Sequence, residues 1–138
     1  MHNFEETTQR WLETFLAQQG GTAGTVHRER GGDLYLVAAQ NIPDKVLEIV
    51  SHVPKGKGMA GQAQVQRKPV QTCNLQTDAS GNINPMAKLV GGKAAVALPS
   101  LTVEGAVRAV VGIAFAREGE ILAAEEQALM QAVATLPE

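Results

Sequence analysis

Three glycines in the middle of the chain have the spacing of a dinucleotide-binding turn. Residues 56–61 read Gly-Lys-Gly-Met-Ala-Gly, and Asp78 follows twenty residues after Gly58. A nucleotide-binding turn of this kind requires a strand directly before it, whereas the apolar pattern over residues 45–53 predicts a helix. The remaining interpretations are a helix whose first N–H groups attract an anion together with Lys55 and Lys57, or a turn with only a structural role.

A long polar loop follows. Residues 74–93 contain several side chains that could bind a small polar ligand: Asn74, Thr77, Asp78, Asn82 and Lys88. Long loops often carry binding residues, although a solvated loop without a function has the same composition. We predict that these five side chains form the polar part of a ligand pocket or its lid, with Lys57 and Gly58 available for an anion.

The single cysteine, Cys73, is a candidate for redox chemistry. A reactive thiol needs a stabilised thiolate and access to solvent. Only Arg67 and Lys68 are cationic neighbours in the sequence, and there is no second cysteine to resolve an oxidised state. A lone cysteine at the end of a strand is more typical of a small buried apolar side chain. The sequence favours that structural role and leaves a redox role as the alternative.

The three histidines, His2, His27 and His52, lie far apart in the sequence. Metal ligands on one helix or turn occur at close spacing, so a metal site here would depend on the fold bringing these residues together with Cys73. We predict no metal site and no resident cofactor. His27 on a strand and His52 at a helix end have ordinary structural explanations.

Composition limits the classes of function. The chain has 138 residues, a formal net charge of −2 and one cysteine. Binding to nucleic acid needs a concentrated basic surface, so this charge argues against it. One cysteine forms no internal disulfide and suits a reducing compartment, and the N-terminal residues lack the basic and apolar segments of a signal peptide. We therefore expect a cytoplasmic protein of one domain that contacts no membrane.

The apolar periodicity predicts helices and hairpins in mixed order. Helices are predicted over residues 4–16, 43–53, 58–68 and 124–136, and strands over residues 22–28, 34–40, 70–73, 94–101 and 106–116. This order favours an α+β fold with helices over an antiparallel sheet. The domain would then consist of a first helix within residues 1–20, a sheet with its covering segments within residues 22–116, and a last helix within residues 121–136.

The last predicted strand has two different faces. One face carries apolar residues at alternate positions: Val107, Ala109, Val111, Ile113 and Phe115. The opposite face, between Ala106 and Ala116, is small except for Arg108. This pattern predicts a central strand with a helix packed closely against its small face.

In their order and spacing, these segments resemble the GAF domain family over residues 22–134. The resemblance is carried by residues 36–43 (LVAAQNIP), 56–63 (GKGMAGQA), 67–70 (RKPV), 95–101 (AVALPSL), the turn at Glu104 and Gly105, and residues 110–114 (VVGIA). It implies a central antiparallel sheet of five to six strands with helices on both faces. The first and last helices would lie on one face and a ligand pocket on the other, covered by residues 45–66 and 74–93.

The resemblance implies sensing rather than catalysis. It suggests a stand-alone GAF-like module that binds an unknown small polar ligand and acts as a homodimer through its terminal helices or through an effector protein. The apolar stripe of Phe4, Trp11 and Phe15 could serve that dimer interface or the domain's own core. The spread Asn-Lys, Phe and Asp-Glu pattern of cyclic-nucleotide-binding members is missing, which argues against cyclic GMP or AMP.

Two alternatives stay open. Free methionine sulfoxide reductases are similar to stand-alone GAF domains of this size, so the enzymatic alternative is a thiol-dependent reductase that uses Cys73. With one cysteine, such an enzyme would need an external reductant. The other alternative is a degenerate GAF module that dimerises and has an empty pocket.

Overall fold

The computed structural model describes residues 4–80 and 85–138 of the chain. Within those ranges its elements in chain order are α1 (Glu6–Gln19), β1 (Ala23–Arg30), β2 (Asp33–Gln40), α2 (Asp44–Val50), β3 (His52–Val53), α3 (Gly58–Gln66), β4 (Val70–Thr72), a 3₁₀ helix (Pro85–Val90), β5 (Ala95–Leu101), β6 (Val107–Ala114) and α4 (Ala123–Val133). No helix in the described ranges is long and apolar enough to cross a membrane.

The strands form one antiparallel sheet with the order β3-β2-β1-β6-β5-β4. Helices α1 and α4 pack on one face of this sheet, and α2 and α3 lie on the other. The predicted α+β fold, with an antiparallel sheet of five to six strands and helices on both faces, is confirmed. Strands β1 and β6 are central, so their alternate residues contact both helical layers.

The layer of α1 and α4 forms the main core. Its central side chains are at most 4% exposed: Leu12, Phe15, Leu16, Leu129 and Val133. Each buried side chain of this size contributes roughly 1.5–3 kcal/mol to stability. This layer therefore supplies most of the domain's core packing, and the opposite face of the sheet can carry a site.

Two residues of the predicted aromatic stripe, Trp11 and Phe15, lie on α1 and pack against the main core. The Trp11 ring stacks on Phe15 with 4.9 Å between ring centroids, and its Nε1 donates to Oγ1 of Thr135 at 3.0 Å. Phe15 is 2% exposed. For Trp11 and Phe15, these contacts support the role in the domain's own core. The dimer interface stays a prediction.

Arg28 on β1 connects the two ends of the chain. Its Nε donates to both carboxylate oxygens of Glu5, at 2.9 and 3.0 Å, and its Nη2 donates to Oγ1 of Thr8 at 3.2 Å and to the Pro137 carbonyl at 2.7 Å. Burial raises the pKa of Glu5, but hydrogen bonds from Thr8 and Arg28 outweigh that effect and hold the pKa below its usual value. Several charge-assisted bonds to one guanidinium thus fix α1 and the C-terminal residues on the sheet.

The faces of β6 change at its first residues. The pairing with β5 skips Arg108, and an extra residue of this kind reverses the alternation beyond it. Val107 consequently packs on the α3 side, and Nη2 of Arg108 donates to the Leu136 carbonyl at 2.8 Å on the α4 side. The predicted faces were wrong for these two residues and are confirmed over residues 109–115.

A short strand replaces the end of the second predicted helix. Helix α2 ends at Val50, and His52 and Val53 pair with Tyr35 and Leu34 of β2. The prediction of a helix to residue 53 was therefore wrong. The pairing supplies backbone partners at the sheet edge, and the His52 imidazole stacks on Tyr35 with 4.8 Å between centroids.

Candidate functional site

A cavity of about 250 Å³ lies between the sheet and the layer of α2 and α3. Its floor is formed by small residues of β1, β5 and β6: Ala23, Thr25, Ala95, Ala97, Gly112 and Ala114. Because these side chains are short, they leave a space beneath α2 that ordinary core packing would fill. An apolar cavity of about 150 Å³ is large enough for benzene, so this one has room for a larger molecule.

The walls of the cavity are also mainly apolar. They are formed by residues of α2, of the start of α3 and of the loop between β4 and β5: Val46, Ile49, Val50, Met59, Ala60, Leu75 and Val90. Of the two segments that the resemblance placed over the pocket, residues 45–66 contribute lining residues between Val46 and Ala60, and the described part of residues 74–93 contributes Leu75 and Val90. Ile49 is 43% exposed although it lines the cavity, so the cavity opens to solvent on this side.

The first turn of α3 lies at one edge of the cavity. Lys57 occupies the N-cap position, and among the described residues no side chain caps this helix and its first turn holds no acidic residue. The first N–H groups of a helix have no partner within it and carry a partial positive charge. Lys57, Gly58, Met59 and Ala60 all line the cavity. This edge of the cavity suits an anion, and the predicted role of Lys57 and Gly58 stays a prediction.

His27 is a buried polar residue of the cavity wall. It lies on β1, is 3% exposed, and its Nε2 is 2.8 Å from the Val50 carbonyl oxygen. Because a carbonyl only accepts, Nε2 carries the proton and donates. Burial lowers the pKa of His27 to about 4, partly offset by this bond. His27 is therefore neutral at pH 7, and its Nδ1 has no hydrogen-bond partner among the described residues.

A second histidine at the cavity ties β3 to β2. Nε2 of His52 donates to Oδ2 of Asp33 at 2.7 Å, and the Lys55 N–H donates to Oδ1 of the same carboxylate at 3.1 Å. The bond from His52, followed by that from Lys55, lowers the pKa of Asp33. Asp33 thereby holds the segment between α2 and α3 against the sheet edge.

Asn74 makes its contacts within the loop region. Its Nδ2 donates to the Glu118 carboxylate, and its Oδ1 accepts from the Gln76 N–H at 2.8 Å. Thr77 is exposed, and its N–H donates to the Asn74 carbonyl. These bonds give the first part of the loop a defined turn.

The carboxylate of Asp78 also has hydrogen-bond partners nearby in the chain. Its carboxylate accepts from the Thr72 hydroxyl and from both the N–H and the hydroxyl of Ser80. The bonds from Ser80, and then that from Thr72, lower the pKa of Asp78. A carboxylate with three local donors has little capacity left for a ligand.

The structure separates the residues that the sequence grouped as one polar site. Four of them do not line the cavity: Asn74, Thr77, Asp78 and Lys88. Asn82 lies outside the described residues. Lys57 and Gly58 do line the cavity, and the loop contributes its apolar residues Leu75 and Val90 instead. Ligand binding by the polar loop residues stays a prediction.

Cys73 is a free and exposed thiol directly after β4. The expectation of a buried cysteine was wrong, because the strand ends at Thr72 and Cys73 lies beyond it, where its carbonyl accepts from the Gly119 N–H at 3.0 Å. Cys73 is not among the residues that line the cavity. Within the described part of the chain, no group of three His, Cys, Asp or Glu side chains could hold a metal ion.

The family model of the GAF domain matches residues 1–136. The chain therefore belongs to the GAF domain family, and its fold supports a GAF-type regulatory or sensor module. No curated protein sequence matches the chain.

Solved structures share the fold at low sequence identity. One is the type II free methionine-R-sulfoxide reductase from Thermoplasma acidophilum, with a TM-score of 0.74, 12% identity, and coverage of 93% of this chain and 85% of that chain. Another is the GAF domain of an Acinetobacter phosphoenolpyruvate-protein phosphotransferase, with a TM-score of 0.72, 13% identity, and coverage of 94% and 76%. A third is the A. aeolicus nlh2 GAF domain in an inactive state, with a TM-score of 0.67, 18% identity, and coverage of 96% and 79%. At these identities the likeness shows the fold alone.

Proposed function

We propose that this GAF domain is a non-enzymatic, cytoplasmic regulatory module that binds a small, largely apolar molecule in the cavity. The observation that carries the proposal is the cavity itself, which has about 250 Å³ of space over a floor of small residues and opens to solvent beside Ile49. Ligand sites are typically concave and mostly apolar, with a few polar groups that orient the ligand. The sequence suggested a polar ligand, whereas this lining favours an apolar one.

The central strands offer a route from the ligand to the terminal helices. Thr25 faces the cavity, while its neighbour Val26 is fully buried under the layer of α1 and α4. A ligand transmits a signal only if it binds two arrangements of the protein with different affinity. In this proposal the two arrangements differ in how α1 and α4 lie on the sheet, and a second copy of the chain or an effector protein detects the difference.

Replacing Cys73 by Ser separates the sensor from the reductase alternative. Since the thiol does not line the cavity, we expect C73S to bind the ligand with a dissociation constant within about twofold of the wild type, by calorimetry. Wild type and C73S are then compared in reduction of free methionine sulfoxide with dithiothreitol. Turnover that requires Cys73 would replace the sensor proposal by the enzymatic one.

Replacing Ala60 by Phe tests whether the cavity is the binding site. Ala60 lies in the first turn of α3, is half-buried and lines the cavity, so a phenyl ring at this position occupies the space of a ligand. The matched control is V65F, because Val65 lies on the same helix, is 44% exposed and does not line the cavity. We expect V65F to behave as the wild type and A60F to bind nothing.

Two measurements check this expectation. Small molecules retained by the purified protein are extracted and identified by mass spectrometry, and thermal shifts are recorded with uncharged aromatics, aromatic and short-chain acids, cyclic nucleotides, 2-oxo acids, amino acids and methionine sulfoxide. A ligand at one hundred times its dissociation constant adds about 2.7 kcal/mol of stability. A shift that A60F retains would place the ligand elsewhere, and no shift across the panel would favour the empty dimerisation module.

A further inference from the structure

The floor of the cavity contains a hydroxyl group without a hydrogen-bond partner. Thr25 lies on β1 and lines the cavity, and its hydroxyl forms no hydrogen bond with any described residue. In the two strand pairings of β1, Thr25 lies opposite Ala39 of β2 and Gly112 of β6, neither of which has a side-chain acceptor. A hydroxyl group without a partner is unfavourable in apolar surroundings, so a partner for this group has to come from a bound molecule.

The Thr25 hydroxyl is accessible from the cavity. Thr25 is partly exposed, although β1 is paired along both edges and the adjacent Val26 is fully buried under α1 and α4. The exposed surface of Thr25 therefore belongs to the cavity. Gly112 leaves the hydroxyl uncovered, because a Cβ at that position would lie 2.9 Å from Oγ1 of Thr25. Nδ1 of His27, in contrast, is covered by protein atoms.

The surroundings of this hydroxyl favour an uncharged acceptor. A charged group on the floor would lose its hydration and gain only one neutral hydroxyl. A ligand hydroxyl would bring a hydrogen of its own, so one of the two hydroxyl hydrogens would stay without an acceptor. A carbonyl oxygen accepts from Thr25 and adds no donor. The other floor residues have no polar side-chain atoms: Ala23, Ala95, Ala97, Gly112 and Ala114.

We propose that the cavity binds an uncharged carbonyl compound of about the size of a substituted benzene ring. Its carbonyl oxygen accepts a hydrogen bond from Oγ1 of Thr25, and its apolar part contacts the small residues of the floor and the apolar walls. The volume of about 250 Å³ accommodates such a molecule, since a cavity of about 150 Å³ already holds benzene. This inference rests on the proposed function, because it assigns a ligand class to the same cavity.

Four probes with the same ring separate the possible polar groups. Ethylbenzene has no oxygen, acetophenone has a carbonyl in place of a methylene group, 1-phenylethanol has a hydroxyl, and benzoate has a charged carboxylate. The first three have nearly the same shape, so differences between them report the oxygen. Among the wild-type titrations, we expect benzoate to bind more weakly than acetophenone.

Replacing Thr25 by Val removes the hydroxyl and keeps the shape of the side chain. We expect T25V to bind acetophenone about fivefold more weakly than the wild type and ethylbenzene within about twofold. Each probe is compared between two proteins, so its own cost of leaving water cancels. T25S keeps the hydroxyl and should retain the wild-type ratio of the two affinities. The matched control is T22V, because Thr22 is exposed and does not line the cavity.

Methionine methyl groups report where the probes bind. Met59 lines the cavity, whereas Met130 packs against the core on the opposite face of the sheet. In carbon-13 methyl NMR spectra, titration with acetophenone is expected to shift the Met59 signal and to leave the Met130 signal in place. The dissociation constants follow from the Met59 titrations.

The outcomes distinguish this inference from the proposed function. If the ratio of acetophenone to ethylbenzene affinity is the same in T25V and the wild type, the contact with Thr25 is wrong. If T25V weakens 1-phenylethanol more than acetophenone, or if benzoate binds the wild type most tightly, the carbonyl assignment is wrong. If no probe shifts Met59, the inference fails, and the proposed function fails with it only if the broader panel also gives no shift that A60F abolishes.

Discussion

Acidification from pH 6.5 to pH 4 is expected to lower the free energy of unfolding by about 3 kcal/mol through His27 alone. Burial lowers the pKa of this imidazole from 6.5 to about 4 in the folded protein. Between these pH values the unfolded chain takes up a proton that the folded protein does not. The contribution of His27 to the free energy of unfolding is therefore complete above about pH 6.5. It is lost progressively as the pH falls towards 4.

Urea unfolding at a series of pH values measures this effect, with H27Q as the reference. The carboxyl groups of Glu5, Asp33 and Asp78 also have lowered pKa values, so their stabilisation is lost as the pH falls below about 4.5. They are present in both proteins and cancel in the comparison. Parallel stability curves for the wild type and H27Q between pH 6.5 and 4 would show that His27 is not buried as a neutral group.

Gly61→Ala is expected to destabilise the protein by about 2–3 kcal/mol. In an ordinary helix interior the same change stabilises by about 1 kcal/mol. The sign of the change in the free energy of unfolding therefore tests the predicted clash. A Cβ at position 61 would lie 2.6 Å from the carbonyl carbon of Gly56 and 3.0 Å from its Cα and N. Gly56 has a φ of +82°, and backbone atoms of a tight turn cannot rotate away as a side chain can.

The substitution should also weaken ligand binding, because the displaced turn leads into Lys57 and the start of α3. Chemical denaturation gives the change in stability, and calorimetry gives the affinity. Gln66→Ala is the control, since Gln66 is exposed on the same helix and its replacement should change stability by less than about 0.5 kcal/mol. A G61A protein more stable than the wild type would mean that α3 and the preceding turn are not in contact.

Local patterns predicted most of the regular elements of this fold, but not the 3₁₀ helix over Pro85–Val90, which lies in the segment predicted as a loop. The hairpin of β1 and β2 follows from two strand-like segments around Gly31 and Gly32, both of which have positive φ. Two features escaped prediction because they depend on distant partners. The strand β3 exists only through its pairing with β2, and the bulge at Arg108 exists only relative to β5. Neither leaves a periodic signal in its own segment.

The candidate site was harder to predict, because its floor comes from three strands that are distant in the sequence. The small face at Gly112 and Ala114 was visible, but its continuation through Thr25 and Ala95 depends on the strand order. The composition of the polar loop favoured a ligand site there. In the structure, however, several polar side chains of the loop form hydrogen bonds to other residues of the same loop. The sequence did not identify His27 as a residue of the cavity wall. Its neutral state results from burial in the fold, which no local pattern around residue 27 indicates.

The contacts of Arg28 have a mechanical consequence. One guanidinium holds Glu5, just before α1, and the carbonyl of Pro137, just after α4, so the chain is nearly closed into a ring at a central strand of the sheet. A force that pulls the two ends apart loads this side chain together with the bond from Arg108 to the Leu136 carbonyl and the bond from Trp11 to Thr135. The two terminal segments are thus mechanically coupled to each other through one residue of the sheet.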